Sequence, residues 1–423
     1  MTSSTVKTGT VTSTIVTTPF RSAASRHRGP ARLPRPSTRS AASAVLTTVL
    51  RAGPTFRDEL AARTGLSHAT ANRQVAQLLD AGLLRERPDL TPAGAVGRPR
   101  LPVELDPDDY GVLGIHIGLR RTTLAAGDLR GQVLGAVDVP SPAGDPAEVV
   151  TLLTHRLRRF GARWPRRRVL QVGLVVGGQL SADRSRLRHP RLGWDSAPLA
   201  DIVDRVTDSD VVVVPQVEAM AGADTLLSPH RAGGSALYVY AREAVGAVLT
   251  EDGAVGVPAS APGTISHLPV GGTARCHCGA TGCLEASAGD SAVAEAAHRA
   301  GIVPTPSIAA VTAAAEGGNR AAHELLAERA RLLGRGVALV RDVLNPDRVV
   351  LLGQAFTGYR PGLAHVSASF AAHSALEPLS LQVSALGTGV QARAACAAAL
   401  RPVYADPLGT VLRSESARRR SRA

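Results

Sequence analysis

The stretch GTISHLPVGGTARCHCGATGCLE, residues 263–285, sets His267 close to three of the chain's four cysteines. An imidazole and three thiolates are the donors of a common tetrahedral Zn²⁺ site, so His267, Cys276, Cys278 and Cys283 form a candidate Cys₃His set. Gly279 and Gly282 free the backbone to fold around an ion. Four protein ligands would close the coordination shell and leave no position for an activated water. Such a metal holds a loop and does no chemistry. Three buried small thiols, or a redox pair, are the competing readings, and Cys-x-Cys is a poor redox motif. Cys396, alone in an alanine-rich segment, reads as a small core residue.

The elements that must position this block belong to a chain of 423 residues, long enough for two or three domains. A hydrophobic content of 44% with 20% charged residues is that of a soluble globular protein. No run of eighteen apolar residues occurs, and MTSSTVKTGTVTSTIVTTPF has neither the basic start nor the apolar centre of a signal peptide. A cytoplasmic, nucleoid-associated protein is expected. Net charge is +13, and every basic residue except Lys7 and the histidines is arginine. That excess favours an anionic partner such as nucleic acid. Residues 1–38, Thr/Ser-rich and then Arg/Pro-rich, and the basic residues 406–423 both read as solvated tails with weak phosphate affinity.

Residues 39–106 carry the clearest local signals. RSAASAVLTTVLRAG has apolar residues at helical spacing and stops at Gly53. In TFRDELAART, Thr55 and Asp58 match a capping box for a second helix. Gly65-Leu66-Ser67 is a short turn, and Ser67 caps a third helix, HATANRQVAQLLDAG. There Ala71, Val75, Leu78 and Leu79 make one buried stripe, while Thr70, Arg73, Gln74 and Gln77 occupy a face without carboxylates. Two helices around a short glycine turn make a helix-turn-helix. LLRERPDLTPAGAVGRPRLPVEL then reads as two short strands around a basic tip, the wing of a winged helix. Under this reading Thr70, Arg73 and Gln74 contact base edges or nearby phosphates, and Ser67 and His68 meet a backbone phosphate at the helix N-terminus. Arg98 and Arg100 enter a narrow minor groove. A trihelical packing module without DNA-binding function is the plainer alternative.

From residue 107 strands and helices alternate to about residue 405, an α/β pattern. VLGIHIGLRRTTLAAGDLRGQVLGAVDV reads as two strands around a turn. VLQVGLVVGGQL is a buried strand ending in glycines, and VVVVPQVEAMAGADTLL is a strand running into a helix. ELLAERARLLGRGVALVRDVLNP is a long amphipathic helix whose Leu325, Leu326, Leu332, Leu333, Val337 and Leu339 serve either the core or a dimer contact.

A winged helix followed by LGIHIG, VGLVVGGQL, HPRLGWDSAPL, the His/Cys block and NPDRVVLLGQAF resembles the ROK family of repressors, open reading frames and sugar kinases, more closely its actinobacterial regulators. The resemblance covers about residues 40–405, and the His/Cys block is its most specific part. It implies a two-lobed actin-like (ribonuclease H-like) ATPase fold over 107–405, zinc on His267, Cys276, Cys278 and Cys283, and a homodimer or tetramer. Kinase members place an Asp-x-Gly-x-Thr phosphate loop where this chain has His116-Ile117-Gly118-Leu119-Arg120. They hold the sugar with an Asn-Asp pair, matched here by Pro215-Gln216, and glutamine cannot act as a base. Their second glycine-rich loop is matched by Arg242-Glu243-Ala244-Val245-Gly246-Ala247. Of the sugar-binding Gly-Glu-x-Gly-His motif and the Glu after Cys-Leu, only His267 and Glu285 remain, Thr264 replacing the acid. Gln216, Thr264, His267 and Glu285 are thus candidate ligand-binding positions, with no catalytic residue. The expectation is a dimeric DNA-binding transcriptional regulator, a repressor, whose kinase-like domain is inactive and senses a sugar or sugar-derived effector. An active sugar kinase with a DNA-binding appendage and a ligand-independent DNA binder are the alternatives.

Overall fold

The computed structural model describes residues 40–90, 100–181, 185–199, 201–202, 210–227, 233–255 and 265–422. Thr264, Arg98 and residues 1–39 lie outside these.

The N-terminal unit is built around one apolar stripe per helix. Helix α1, Ala41–Ala52, is capped by Ser40, which accepts from the Ser43 N–H at 3.1 Å, and it ends at Gly53 with φ of 74°. Val45, Leu46 and Val49 are its buried face. Helix α2, Arg57–Thr64, departs from expectation: the capping box of Thr55 and Asp58 does not form. Thr55 instead exchanges backbone hydrogen bonds with Val103 at 3.0 and 2.9 Å, and its hydroxyl donates to the Gly53 carbonyl. A residue stretched into a β-bridge cannot also turn its side chain onto the helix end, and Phe56 takes the cap position without a side-chain bond. Helix α3, His68–Asp80, begins as expected at Ser67, which accepts from the Thr70 N–H at 3.2 Å. Ala71, Val75 and Leu78 are buried and Leu79 is half-buried against the same core. Strands β1, Leu84–Glu86, and β2, Val103–Leu105, pair antiparallel as the wing.

Residues 110–140 make three strands where the sequence suggests two: β3 Tyr110–Ile117, β4 Arg121–Gly127 and β5 Val133–Pro140. The second turn is set by Asp128, whose carboxylate accepts from the Gln132 N–H at 2.8 Å, and by Gly131 at φ 78°. Helix α4, Pro146–Gly161, capped by Asp145, covers one face of the sheet. Strand β6, Arg168–Val176, leads into a small antiparallel sheet of β7 Gln179–Leu180, β8 Leu187–His189 and β9 Trp194–Ala197. Strand β10, Val211–Pro215, completes the order β10-β6-β3-β4-β5 and runs directly into α5, Gln216–Leu227.

The second lobe repeats the plan. Its strands are β11 Ser235–Ala241, β12 Val245–Glu251 and β13 Ala254–Val255, followed by helices α6 Leu284–Ala288, α7 Asp290–Arg299, α8 Ile308–Glu316 and α9 Arg320–Leu344. Strand β14, Arg348–Leu352, short helix α10, Gln354–Thr357, α11, Arg360–His373, and β15, Leu381–Val383, give the order β13-β12-β11-β14-β15. Each sheet is thus an antiparallel meander whose first strand is extended by two parallel strands. On α9, Leu326, Leu333 and Val337 are buried, Leu325 and Leu332 half-buried, and Leu339 is 38% exposed, so the core takes most of that stripe.

Helix α12, Val390–Ala405, returns to the first lobe and lies so close that Cβ atoms on Gly114 and Gly173 would meet Ala395 backbone at 2.7 and 2.5 Å. Residues 406–423 are not the solvated tail expected. Helix α13, Pro407–Arg422, packs through Val411, Ser414 and Ala417, three buried residues at three-residue spacing, and Ser414 donates to the Val169 carbonyl at 3.1 Å. Its arginines hide this stripe from a reading of charge alone.

The winged helix and the first lobe share one core. Val45, Leu46, Leu78 and Leu84 sit in the same cluster as Tyr110, Leu129, Leu170, Leu400 and Val411. The Tyr110 hydroxyl donates to the Ala81 carbonyl at 2.8 Å, closing the C-terminal end of α3 onto the lobe. Glu104 in the wing is buried among Arg85, Arg87 and Arg130 at 2.6–2.9 Å, which holds its carboxyl below the usual range despite burial. Arg130 belongs to the lobe, so this cluster pins the wing in place.

Candidate functional sites: recognition helix, metal knuckle and interlobe cleft

On α3 the structure leaves a continuous polar face. His68, Arg73 and Gln77 are exposed, Thr70 and Gln74 half-exposed, and no acid lies in the first turn. Ser67 spends its hydroxyl locally, donating to Thr70 Oγ1 at 2.9 Å, so these two residues shape the helix start as a unit. Arg100, at the wing, is 68% exposed but pairs with Asp58 and lies over the Phe56 ring at 5.9 Å. It must leave that carboxylate to reach any other anion. Arg98 lies outside the described residues.

The His/Cys block folds as a knuckle. Bridges Arg275↔Thr281 and Pro269↔Cys283 bracket a tight turn in which Cys276 N–H donates to the Ala280 carbonyl at 2.8 Å. Gly279 and Gly282 take φ of 92° and 79°, and a Cβ on Gly282 would strike the Gly272 carbonyl at 2.5 Å. These are positions only glycine fills without strain. The outcome is convergence. One donor atom each from His267, Cys276, Cys278 and Cys283 lies within 4.8 Å of all the others. His267 Nδ1 is 3.3 Å from Cys276 Sγ, and Cys278 Sγ is 3.6 Å from Cys283 Sγ. Spacings of this size around a common centre suit a tetrahedral ion with thiolate bonds of about 2.3 Å. The cluster can hold a metal. Immediately after it, Glu285 opens α6 and accepts from the Val245 N–H at 3.1 Å and the Ser266 hydroxyl at 2.9 Å, so the knuckle's exit is tied to β12.

Between the lobes lies a cleft of about 900 Å³, which His267 and Glu285 join from the knuckle side and Gln216 from the start of α5. Gln216 hydrogen-bonds to Tyr240, whose hydroxyl burial pushes up to about 12. The β3–β4 turn, Gly118 to Arg120, closes through Gly118 N–H on the Arg121 carbonyl at 3.2 Å. Arg120 then reaches Glu243 of the β11–β12 turn at 3.5 Å, and Arg191 donates to the Glu243 carbonyl at 2.5 Å. Arginines therefore span the mouth of the cleft. At its floor His116 is fully buried, and burial holds it at about 4, a neutral imidazole. Of the positions that the sequence offers for ligand binding, the structure places Gln216, His267 and Glu285 around one cavity. Sequence reasoning did not single out His189 or the side chain of Arg242 as lining residues; an arginine in the loop that the resemblance matches to a glycine-rich one was the available signal.

The ROK family model matches residues 112–387, and a MarR family model matches residues 38–92. The chain belongs to the ROK family. It is 45% identical over 389 residues to a transcriptional regulator of Mycobacterium tuberculosis, covering 89% of this chain and 88% of that one. It is 22% identical over 327 residues to the N-acetylglucosamine repressor of Escherichia coli, covering 74% and 80% of the two chains. Among solved structures it resembles a ROK family transcriptional regulator described as a homologue of the E. coli MLC protein, with a TM-score of 0.74, 23% identity, and coverage of 89% and 98%. That likeness establishes the two-lobed, actin-like fold behind a winged helix. Among the described residues no helix is long and apolar enough to cross a membrane.

Proposed function

We propose that this ROK family member is a DNA-binding transcriptional regulator, acting as a repressor from the cytoplasm. The observation that carries the reading is the α3 face: exposed, free of acids in its first turn, capped by Ser67, and fused through one core to a ROK domain. Regulator names on relatives that span both parts support it. Thr70, Arg73 and Gln74 contact base edges or phosphates in the major groove, Ser67 the backbone, and Arg98 and Arg100 the minor groove. A homodimer or tetramer would present two such helices to half-sites spaced by about 10 bp or a multiple.

The ROK domain carries no phosphoryl transfer in this proposal. The end of β3 offers His116 in place of a carboxylate, the start of α5 offers Gln216 in place of a base, and Arg242 stands in the second loop. The cleft, lined by Gln216, His267 and Glu285 and bordered in sequence by Thr264, instead receives a sugar-derived effector. The Cys₃His cluster binds a structural Zn²⁺ that would fix the loop between β13 and α6.

The test is a footprint of the full chain on genomic DNA, followed by fluorescence anisotropy on the site found. Arg73→Ala should weaken specific binding by at least about tenfold, the scale of one lost base contact. An unchanged sequence preference in that variant would sink the assignment of α3.

A further inference from the structure

We propose that the outer face of α4 and the α4–β6 turn form a second DNA-contacting surface, on the first lobe, that holds the phosphate backbone flanking the duplex engaged by α3. The inference rests on the DNA-binding reading above and adds the ROK domain itself to the interface.

Residues 149–182 contain seven arginines and no acid. Helix α4 turns Val149, Val150, Leu153, Leu157 and Phe160 onto the sheet, which leaves Arg156 and Arg159 on its outer side. Arg163 continues that row one turn further, its guanidinium over the Phe160 ring at 5.1 Å. Arg159, Arg163 and Arg166 are exposed, and Arg156 is half-exposed. The turn that carries the last two charges is fixed by its own backbone. Trp164 N–H donates to the Gly161 carbonyl at 3.0 Å, and Arg167 N–H to the Trp164 carbonyl at 3.1 Å. These cations therefore stand on ordered backbone, unlike those of a solvated tail.

The two arginines that close the turn are already spent. Arg167 donates to the Pro107 and Tyr110 carbonyls and reaches Asp108 at 3.4 Å. Arg168 lies over the Tyr110 ring at 4.3 Å and pairs with Asp109 and Glu415 at 3.7 and 3.8 Å. Those acids are taken up by Arg167 and Arg168, and among the described residues none forms an ion pair with Arg156, Arg159, Arg163 or Arg166. A cation near a helix C-terminus offsets the dipole, which accounts for Arg159 in the last turn of α4. That pull fades beyond the helix and leaves Arg163 and Arg166 without such a role. The spent pair also places the surface. Tyr110, which Arg168 covers, closes onto Ala81 at the end of α3, and a Cβ on Gly82 would meet the Arg168 guanidinium at 3.5 Å. The turn therefore abuts the C-terminal end of the recognition helix, and the shared core holds the two in fixed relation. A duplex seated on α3 continues past the ends of that helix. A row of guanidinium groups with no acid among them suits its phosphates, which fix position without reading sequence. An acidic polypeptide would meet the same charge but would gain nothing from the adjoining α3 face.

The experiment is fluorescence anisotropy of the full chain on a random-sequence duplex of about 40 bp, titrated across salt concentrations. Each phosphate contact contributes about 0.9 to the slope of log K against log salt. Arg163→Gln combined with Arg166→Gln should therefore flatten the slope by about 1.8 and weaken binding about tenfold at low salt. Its Tm should match wild type, which separates a DNA contact from a packing role. In a footprint the double variant should keep the sequence preference and lose protection at the flanks, the reverse of Arg73→Ala. Arg299→Gln, exposed at the end of α7 in the other lobe, should leave the slope unchanged. An unchanged slope in the double variant, or an equal loss in Arg299→Gln, would overturn the proposal, the second because net charge alone would then explain the effect. Lost binding to poly-glutamate beside an unchanged DNA slope would overturn DNA as the occupant. Should the double variant melt early, Arg166→Gln alone decides, with an expected slope change of about 0.9. Absence of DNA binding by wild type removes the regulator together with this surface, whereas wild-type binding with an unaltered slope in the variant removes only the surface.

Discussion

The metal knuckle and the interlobe cleft meet at Glu285, and they are built on opposite logics. In the knuckle every donor points inward at one centre, glycines with positive φ hold the turn, and all four candidate ligands are present. In the cleft, buried polar atoms of His116 and Arg242 have no hydrogen-bond partner among the described residues. One gathers its donors around a single centre that can hold an ion. The other is an open cavity whose polar lining is spread over both lobes. The contrast is between four donors gathered within one short segment and polar groups assembled from distant parts of the chain.

The largest expected effect lies in the knuckle. Removing metal with a strong chelator leaves the buried thiols of Cys276 and Cys283 beside the exposed Cys278, Cys283→Ser takes one donor away, and either change frees the loop before α6. Tm should fall by about 6 °C, corresponding to a loss of roughly 4 kcal/mol in a domain of about 300 residues. Metal analysis should give one Zn per chain beforehand. Full metal loss without a change in melting would reduce the knuckle to three packed thiols, and the contrast with the cleft would collapse.

The next effect belongs to the cleft. His116 is held neutral by burial, with its value lowered from 6.5 to about 4. The unfolded chain therefore binds a proton at higher pH than the folded chain does. Stability from this group is complete above pH 6.5 and falls as pH drops toward 4, by about 3 kcal/mol across that window. Urea denaturation at pH 7 and pH 4.5 should show the loss in wild type and a flatter profile in His116→Gln. Identical pH slopes in both proteins would mean that the imidazole has another partner.

Much of this was legible from the sequence, for identifiable reasons. Ser67 at the start of α3 and Gly53 at the end of α1 act through neighbours a few residues away, so their roles follow from local spacing. The Cys₃His set was legible because its ligands lie within one short segment. Thr55 misled because its partner, Val103, is remote, and a β-bridge outbids a local cap. The turn at Asp128 was hidden inside an apolar run, and α13 was hidden because its packing stripe is made of small residues among arginines. The donors of the cleft were the least visible. His116, His189 and Arg242 come from three distant parts of the chain, and only the closing of the lobes brings them to one cavity.

A smaller effect tests the seam. Glu285 resembles a sugar-binding acid in sequence, yet in this structure its carboxylate is committed to Val245 and Ser266. Glu285→Gln cannot accept both bonds at the same oxygen with the same strength and should cost about 1 kcal/mol, the net worth of a typical hydrogen bond. A variant of normal stability whose ligand binding is lost would move Glu285 from the knuckle's side of the comparison to the cleft's.

The smallest expected effect is none at all. On the proposed reading, His116 at the position of the phosphate loop and Gln216 at that of the base leave phosphoryl transfer without the carboxylates that the resemblance to kinases calls for. Glu285 and Asp290, the acids nearest the knuckle, are held by backbone N–H, Ser266 and Arg329. A coupled assay with ATP, Mg²⁺ and hexoses should stay at the blank for wild type and for Gln216→Asp alike, because restoring one carboxylate does not restore the phosphate loop. Turnover by the wild-type chain would return the cleft to catalysis and leave the knuckle as support for an enzyme. Turnover by Gln216→Asp alone would show that one residue, rather than the reshaped loops at His116 and Arg242, separates this cleft from a working kinase.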